Sequence, residues 1–255
     1  IMIMSSTTPV KAAKNSMKIV EALRELDGAG VSEVSQHVSM PTSTVHDHLQ
    51  TLTQEEYLIK ENNQYYIGTR FLQLGDYSRS RRKLFAIARP EVDKLAQKAG
   101  GHANLMIEEH NIGVFLYTAK GQDAVRLDTH AGMRVPLHTT ALGKAIMAYL
   151  SRNEVEKIID RRGLPKVTEK TITTREGLFD ELETIREQGF ATDDEERVEG
   201  MRCVAVPITN EEERAIAAVS ISGLKRRMKG EKFTDEVPEQ VLQSANAIEV
   251  NLTYS

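Results

Sequence analysis

Three short stretches of helical periodicity, followed at once by two β-prone runs, occupy residues 16–68 and constrain the fold of this chain more than any other feature. In the first, Met17, Ile19, Val20, Leu23 and Leu26 lie on one helical stripe. Residues 27–30 (DGAG) end it, with glycine supplying the left-handed backbone of a helix terminus. The second spans 31–38, and Ser32 is its expected N-cap. The third opens after Pro41, with Thr42 or Ser43 as the expected cap, and repeats apolar residues at Val45, Leu49 and Leu52. Runs at 57–59 and 65–68 flank an asparagine-rich turn and predict a hairpin. Three helices and a hairpin within about 60 residues follow the order of a winged helix-turn-helix, with a small helical bundle bearing a β appendage as the alternative.

The third helix points to DNA. Its apolar stripe is narrow, which leaves Ser43, His46, Asp47, Gln50 and Gln54 facing away from the core. Short hydroxyl and amide side chains suit base edges and phosphates. Thr42 and Thr44 at the start of the helix and Asn62 and Asn63 at the hairpin tip complete the expected DNA-binding set. Charge pulls the other way. The whole chain carries a formal net charge of −4, and residues 11–75 hold six Lys or Arg against eight Asp or Glu. Positive charge instead clusters at Arg79, Arg81, Arg82, Lys83 and Arg89, which either reach phosphates or mark a connector between domains.

At 255 residues the chain is comfortable for two domains. The expected division is a frayed tail at 1–9, a DNA-binding domain at 10–75, a helical linker at 76–83 and a larger domain at 84–255. No run of about 18 apolar residues suggests a membrane span, and the start lacks the pattern of a signal peptide. One cysteine, Cys203, leaves no intramolecular disulfide and no thiolate-rich zinc site, so the cytoplasm is the default compartment. In the larger domain, β-prone runs at 104–107, 114–117, 202–208 and 215–222 alternate irregularly with helical segments, and 124–127 and 134–137 are further candidate strands. Ser151 with Glu154, and Thr173 with Glu176, have capping-box spacing at two helix starts. The fold class is α+β, an antiparallel sheet flanked by helices.

Two long stretches carry a resemblance: 136–145 (PLHTTALGKA), and 189–208 (GFATDDEERVEGMRCVAVPI) followed by 219–223 (VSISG). With the N-terminal helices, they resemble the isocitrate-lyase-regulator (IclR) family of transcription factors. Pro41, Ser43, Thr44, Val45 and Leu49 are similar to the family's pattern in the third helix, whereas Asp47 and His48 replace its usual basic residue and leucine. Asp47 repels phosphate but can accept from a cytosine amino group. The resemblance implies a GAF-like effector domain, a homodimer or homotetramer, a palindrome-like double-stranded DNA operator and no catalytic activity. The effector contacts it implies are Ala141, Leu142, Asp193, Cys203, Ser220 and Ser222. No cofactor and no metal are expected.

Strand parity speaks to the same site. Ala217, Val219 and Ile221 share one face, while Ala218, Ser220 and Ser222 share the other; Cys203 and Ala205 likewise oppose Val204, Val206 and Ile208. If the small faces lie together, Cys203, Ser220 and Ser222 line a concavity suited to a small polar ligand such as an organic acid. Alternatively the serines lie on a solvent-facing edge strand, Cys203 is a packing residue, Asp193 braces the 195–196 loop, and His138 pins the loop before its helix. A thiol enzyme with Cys203 as nucleophile, one of His102, His110, His130 or His138 as base and Asp193 as orienter, a metal sensor and a protein-interaction module are the competing functions. In the leading one, ligand binding biases a dimer, and the helical segment 69–99 carries that bias to the recognition helices.

Overall fold

The computed structural model describes residues 10–254; the frayed tail expected at 1–9 lies outside the described residues. The chain divides after Ser78 into two units, each with its own hydrophobic core.

In the first unit, α1 (Lys11–Glu25), α2 (Val31–Val38) and α3 (Thr42–Gln54) precede a hairpin of β1 (Leu58–Glu61) and β2 (Gln64–Ile67). Most of the periodic residues meet as expected: Ile19, Leu23, Val34, Val45, Leu49 and Leu58 are buried together, whereas Met17 and Leu26 of the expected α1 stripe are exposed. Burying each such side chain stabilises by about 1.5–3 kcal/mol. Ala29 exchanges both backbone hydrogen bonds with Tyr65, at 3.1 and 2.9 Å, a one-residue third strand beside the wing. Two expected caps shift. Gly30, not Ser32, is the N-cap of α2, its N–H donating to Glu33 Oε2 at 2.8 Å, and Pro41 takes that position in α3. The Ala29–Tyr65 bridge already fixes where the chain enters α2.

Helix α4 (Arg70–Ser80) covers the first part of the expected linker, and Arg81 and Arg82 interrupt it before α5 (Lys83–Ala99). In the second unit follow β3 (His102–Glu109), β4 (Ile112–Lys120), β5 (Arg134–Val135), α6 (Ala141–Ala148), α7 (Arg152–Arg162) and α8 (Arg175–Gln188). Strands β6 (Ala191–Asp194), β7 (Met201–Thr209) and β8 (Ala215–Leu224), then α9 (Val237–Tyr254), complete it. The six strands form one antiparallel sheet in the order β5-β4-β3-β8-β7-β6. The candidate strand at 124–127 is instead an irregular connection. Ser151 is a capping-box residue as expected, but α8 is capped by Thr174 rather than Thr173.

The sheet is covered on both faces. Val204, Val206, Ile208, Ala217, Val219 and Ile221 pack with α5 and α9. The opposite face, bearing Cys203, Ala205 and Ala218, packs with α6 and α8. The open-edge reading of the serines is therefore overturned: β8 is central, and Ser220 is fully buried.

Candidate functional site

The exposed side of α3 is the first candidate site. Thr42, Ser43, His46, Asp47, Gln50 and Gln54 are exposed, and Thr44 is half-buried. Ser35 Oγ donates to Met40 O at 2.6 Å and lies 3.2 Å from Thr42 Oγ1, tying the turn between α2 and α3. His48 is half-buried, its Nδ1 2.9 Å from Ser16 Oγ of α1, so it packs rather than reads. Asn62 and Asn63 stand exposed at the wing tip with φ of 48° and 64°. Lys11, Lys14 and Lys18 fall on one exposed face of α1, so this acidic unit carries a local basic stripe. Their spacing was visible in the sequence, but summing charge over 65 residues concealed it.

The second candidate is a cavity on the α6 side of the sheet. Directly paired residues put His102 of β3, Ser222 of β8, Cys203 of β7 and Asp193 of β6 in one row across four strands. The next row sets Asn104 beside Ser220 and Ala205. Paired residues point to the same face, so this polar row floors the cavity. Of the expected effector residues, Leu142, Asp193, Cys203 and Ser222 line it. Ala141 and Ser220 do not: Ala141 packs into the core behind α6, and Ser220 lies beneath Asn104, whose Nδ2 donates to its Oγ at 3.3 Å. Sequence reasoning missed Asn104 and Arg197, and named His102 only as one of four candidate bases for a thiol enzyme rather than as an effector contact. Polar side chains two apart, on one face at the start of β3, were the available signal for His102 and Asn104.

Local chemistry positions the rest of the wall. Thr140 Oγ1 caps α6 by accepting from Gly143 N at 2.9 Å. Gly143 is required, because a Cβ there would sit 2.0 Å from Leu137 O. The acidic stretch 193–196 is sorted by partner. Asp194 receives Arg202 Nε and Nη2 at 3.1 and 3.0 Å, Glu195 receives Lys170 Nζ at 2.6 Å, and Glu196 receives Lys144 Nζ at 2.6 Å. Asp193 alone turns to the cavity, and its Oδ1 accepts Glu196 N at 2.7 Å. Burial raises the Asp193 carboxyl to about 6, against the pull of that amide, Lys144 and Arg197. Cys203 is buried, and burial pushes its thiol up to about 12; Ser222 Oγ donates to its sulfur at 3.2 Å. Arg197 stacks over Phe115 at 5.5 Å and donates to Thr129 Oγ1 at 3.1 Å. His138 Nε2 lies 3.1 Å from Pro165 O, pinning the loop before α6. Among the described residues, no three His, Cys, Asp or Glu side chains are grouped to hold a metal ion, and no helix is long and apolar enough to cross a membrane.

Known proteins are similar to nearly the whole chain. Residues 12–61 match the model of the IclR helix-turn-helix domain, and residues 78–250 match that of the bacterial transcriptional regulator IclR C-terminal region. A probable HTH-type transcriptional regulator ArcR of Halobacterium salinarum is 31% identical over 247 residues, covering 95% of this chain and 94% of its own. The crystal structure of the Thermotoga maritima IclR is similar with a TM-score of 0.78 at 27% identity, over 94% of this chain and 98% of that one. An IclR homolog complexed with 4-hydroxybenzoate, from Microbacterium hydrocarbonoxydans, shares the fold with a TM-score of 0.79 at 22% identity, over 94% and 100% of the two chains. A winged helix-turn-helix followed by this antiparallel domain, matched in order and nearly in full, makes the chain a member of the IclR family of DNA-binding transcriptional regulators.

Proposed function

We propose that this regulator binds a double-stranded DNA operator through α3 and the β1–β2 wing, and that a small organic acid in the cavity of the second unit sets its operator affinity. Residues 10–75 act as the DNA-binding domain, 76–83 as the connector and 84–255 as the effector domain. The carrying observation is the row His102, Ser222, Cys203 and Asp193, with Arg197 and Arg202 beside it: polar groups and two cations, of which Arg202 is paired with Asp194, converge on a cavity otherwise lined by apolar side chains. That is the composition of a small-molecule site. Leu142 sits in the first turn of α6, whose positive end favours an anion. The related protein bound to 4-hydroxybenzoate supports a carboxylate ligand for this fold.

On the DNA side, Ser43, His46, Asp47 and Gln50 reach base edges, Thr42 and Thr44 meet the backbone, and Asn62 and Asn63 follow the wing into an adjoining groove. Lys11, Lys14 and Lys18 supply phosphate contacts. The chain acts as a homodimer or homotetramer, because two recognition helices are needed for successive major grooves. Exposed Leu72 and Tyr77 on α4 support self-association. A thiol enzyme finds little support. Burial holds the Cys203 thiol protonated, and Ser222 Oγ donates to its sulfur at 3.2 Å.

The test is fluorescence anisotropy of the full chain with a labelled fragment of its own promoter. Affinity is expected to fall steeply between 50 and 200 mM salt, by on the order of 10³ if several phosphates are contacted, and to change when short carboxylic acids are added. Binding that ignores salt, or no binding at low salt, refutes the DNA reading. Binding unchanged by every acid refutes the effector reading.

A further inference from the structure

Two buried polar atoms of the cavity have no partner among the described residues: His102 Nδ1 and Asn104 Oδ1. Their residues are 1% and 3% exposed. Both atoms are acceptors. His102 Nε2 faces Val125 O at 2.6 Å, and a carbonyl only accepts, so the ring proton is on Nε2 and Nδ1 presents its lone pair. Asn104 is oriented by the same logic. Its amide nitrogen faces the His102 carbonyl at 3.5 Å as well as Ser220 Oγ at 3.3 Å and Ser222 Oγ at 3.4 Å, leaving Oδ1 free. The two residues are two apart on β3 and share the face that forms the cavity floor.

Leaving a buried acceptor unpaired is unfavourable, and a ligand that donates to it removes the penalty. The cavity also offers a donor: the Arg197 guanidinium, which donates to Thr129 Oγ1 at 3.1 Å and to Asp128 Oδ1 at 3.5 Å and keeps further N–H groups. A ligand that satisfies both the acceptors and this donor carries an anion and a donor within a few bonds. We propose that the effector is a short hydroxy carboxylate, its carboxylate held beside Arg197 and its hydroxyl donating to the acceptors of Asn104 and His102. This rests on the reading of the cavity as an effector site and assigns its chemical class. Size agrees: the space open to the centre of a water-sized sphere is about 40 Å³, where one water needs about 10–15 Å³. An ammonium donor fits less well, since both free acceptors are neutral and the one carboxylate on the floor, Asp193, already accepts the Glu196 N–H at 2.7 Å.

Isothermal titration of the full chain at pH 8, above the ordinary imidazole range, with matched acids tests this. The pairs are glycolate against acetate, and each lactate enantiomer against propionate, with alanine as the ammonium probe. Glycolate or one lactate is expected to bind about tenfold more tightly than its deoxy partner. In Asn104→Leu that ratio is expected to fall toward one. His102→Leu serves the same purpose if the first variant does not fold, and the wild-type ratio stands apart from both. Deoxy acids binding as tightly as hydroxy acids overturn the proposal and leave the effector reading intact. Alanine binding more tightly than lactate overturns it in favour of an ammonium ligand. No binding by any acid removes the effector reading and this proposal with it.

Discussion

Lys144 is a fully buried lysine, and it survives there because two carboxylates reach its ammonium, Glu181 Oε1 at 2.8 Å and Glu196 Oε1 at 2.6 Å. Lys144→Met keeps most of the volume but strands Glu196, whose second oxygen already has no partner among the described residues. Breaking a buried pair from one side costs about 3–5 kcal/mol. A loss of about 3 kcal/mol in urea unfolding at pH 8 is expected, with partial recovery in the double variant Lys144→Met, Glu196→Gln. Equal losses in both would show that the charge is irrelevant. The neighbouring acids give a pH dependence. Burial raises Asp193 to about 6 and Glu196 to about 7, both above the usual carboxylate range near 4. The folded chain therefore holds extra protons, and the stability they contribute is complete below about pH 4 and lost as pH rises through 6 and 7. Asp193→Asn removes one of these protons, so its stability relative to wild type is expected to rise from pH 5 to pH 8; parallel curves would contradict this. At this scale the sequence was half legible. Parity along β7 and β8 identified the face that bears Cys203 and Ser222, because alternation is a property of one strand. It could not find His102, which joins their row only through the pairing of β3 with β8, or Lys144, which looks like any helix lysine until its carboxylates close on it from 37 and 52 residues away.

Elements were legible where the signal was local. The wing is an example. Asn62 and Asn63 both adopt positive φ, as a two-residue turn between twisted strands demands, and asparagine tolerates that conformation better than any other residue with a side chain except aspartate. Asn63→Gly is expected to leave the hairpin intact. Asn63→Val places a β-branched side chain in the left-handed region, at a cost of about 1–2 kcal/mol. Amide hydrogen exchange across 58–67 measures it: exchange about tenfold faster in the valine variant, little changed in the glycine one. Identical protection in all three would mean that the turn does not set the hairpin. Helix starts were legible only where a side chain does the capping. Ser151 and Glu154 satisfy each other's backbone N–H, as their spacing predicts. The start of α8 slips by one residue because Gly177 lets Thr174 Oγ1 approach its N–H; a Cβ there would lie 3.0 Å from that oxygen. The run at 124–127 has strand composition but leaves the sheet, and Val125 uses its carbonyl to orient His102 instead. Composition cannot register a contact of that kind.

For the molecule as a whole, order along the chain was legible because each unit's periodicity changes where its fold changes, whereas the proposed effector control hangs on a coupling between units that no residue pattern encodes. Coupling has one strict property that makes it measurable without knowing its route. If a hydroxy acid changes operator affinity by some factor, the operator must change affinity for that acid by the same factor. The proposed route through 69–99 contains a break at Arg81 and Arg82 between α4 and α5, so on this proposal the bias crosses a non-helical step rather than a continuous rod. Lengthening that step with two glycines leaves both binding sites chemically unchanged while removing their mechanical connection. In the wild-type chain, saturating acid is expected to move operator affinity about 5–150-fold, the usual range of allosteric coupling, and titration of acid into the chain with and without operator duplex is expected to return the same factor. In the glycine insertion the acid still binds, the operator still binds, and both factors fall toward one. Unequal factors in the wild type would mean that the acid acts at a second place, on the DNA or on assembly, rather than through this cavity. A coupling that survives the insertion undiminished would move the route away from the connector and onto the subunit contacts of the oligomer.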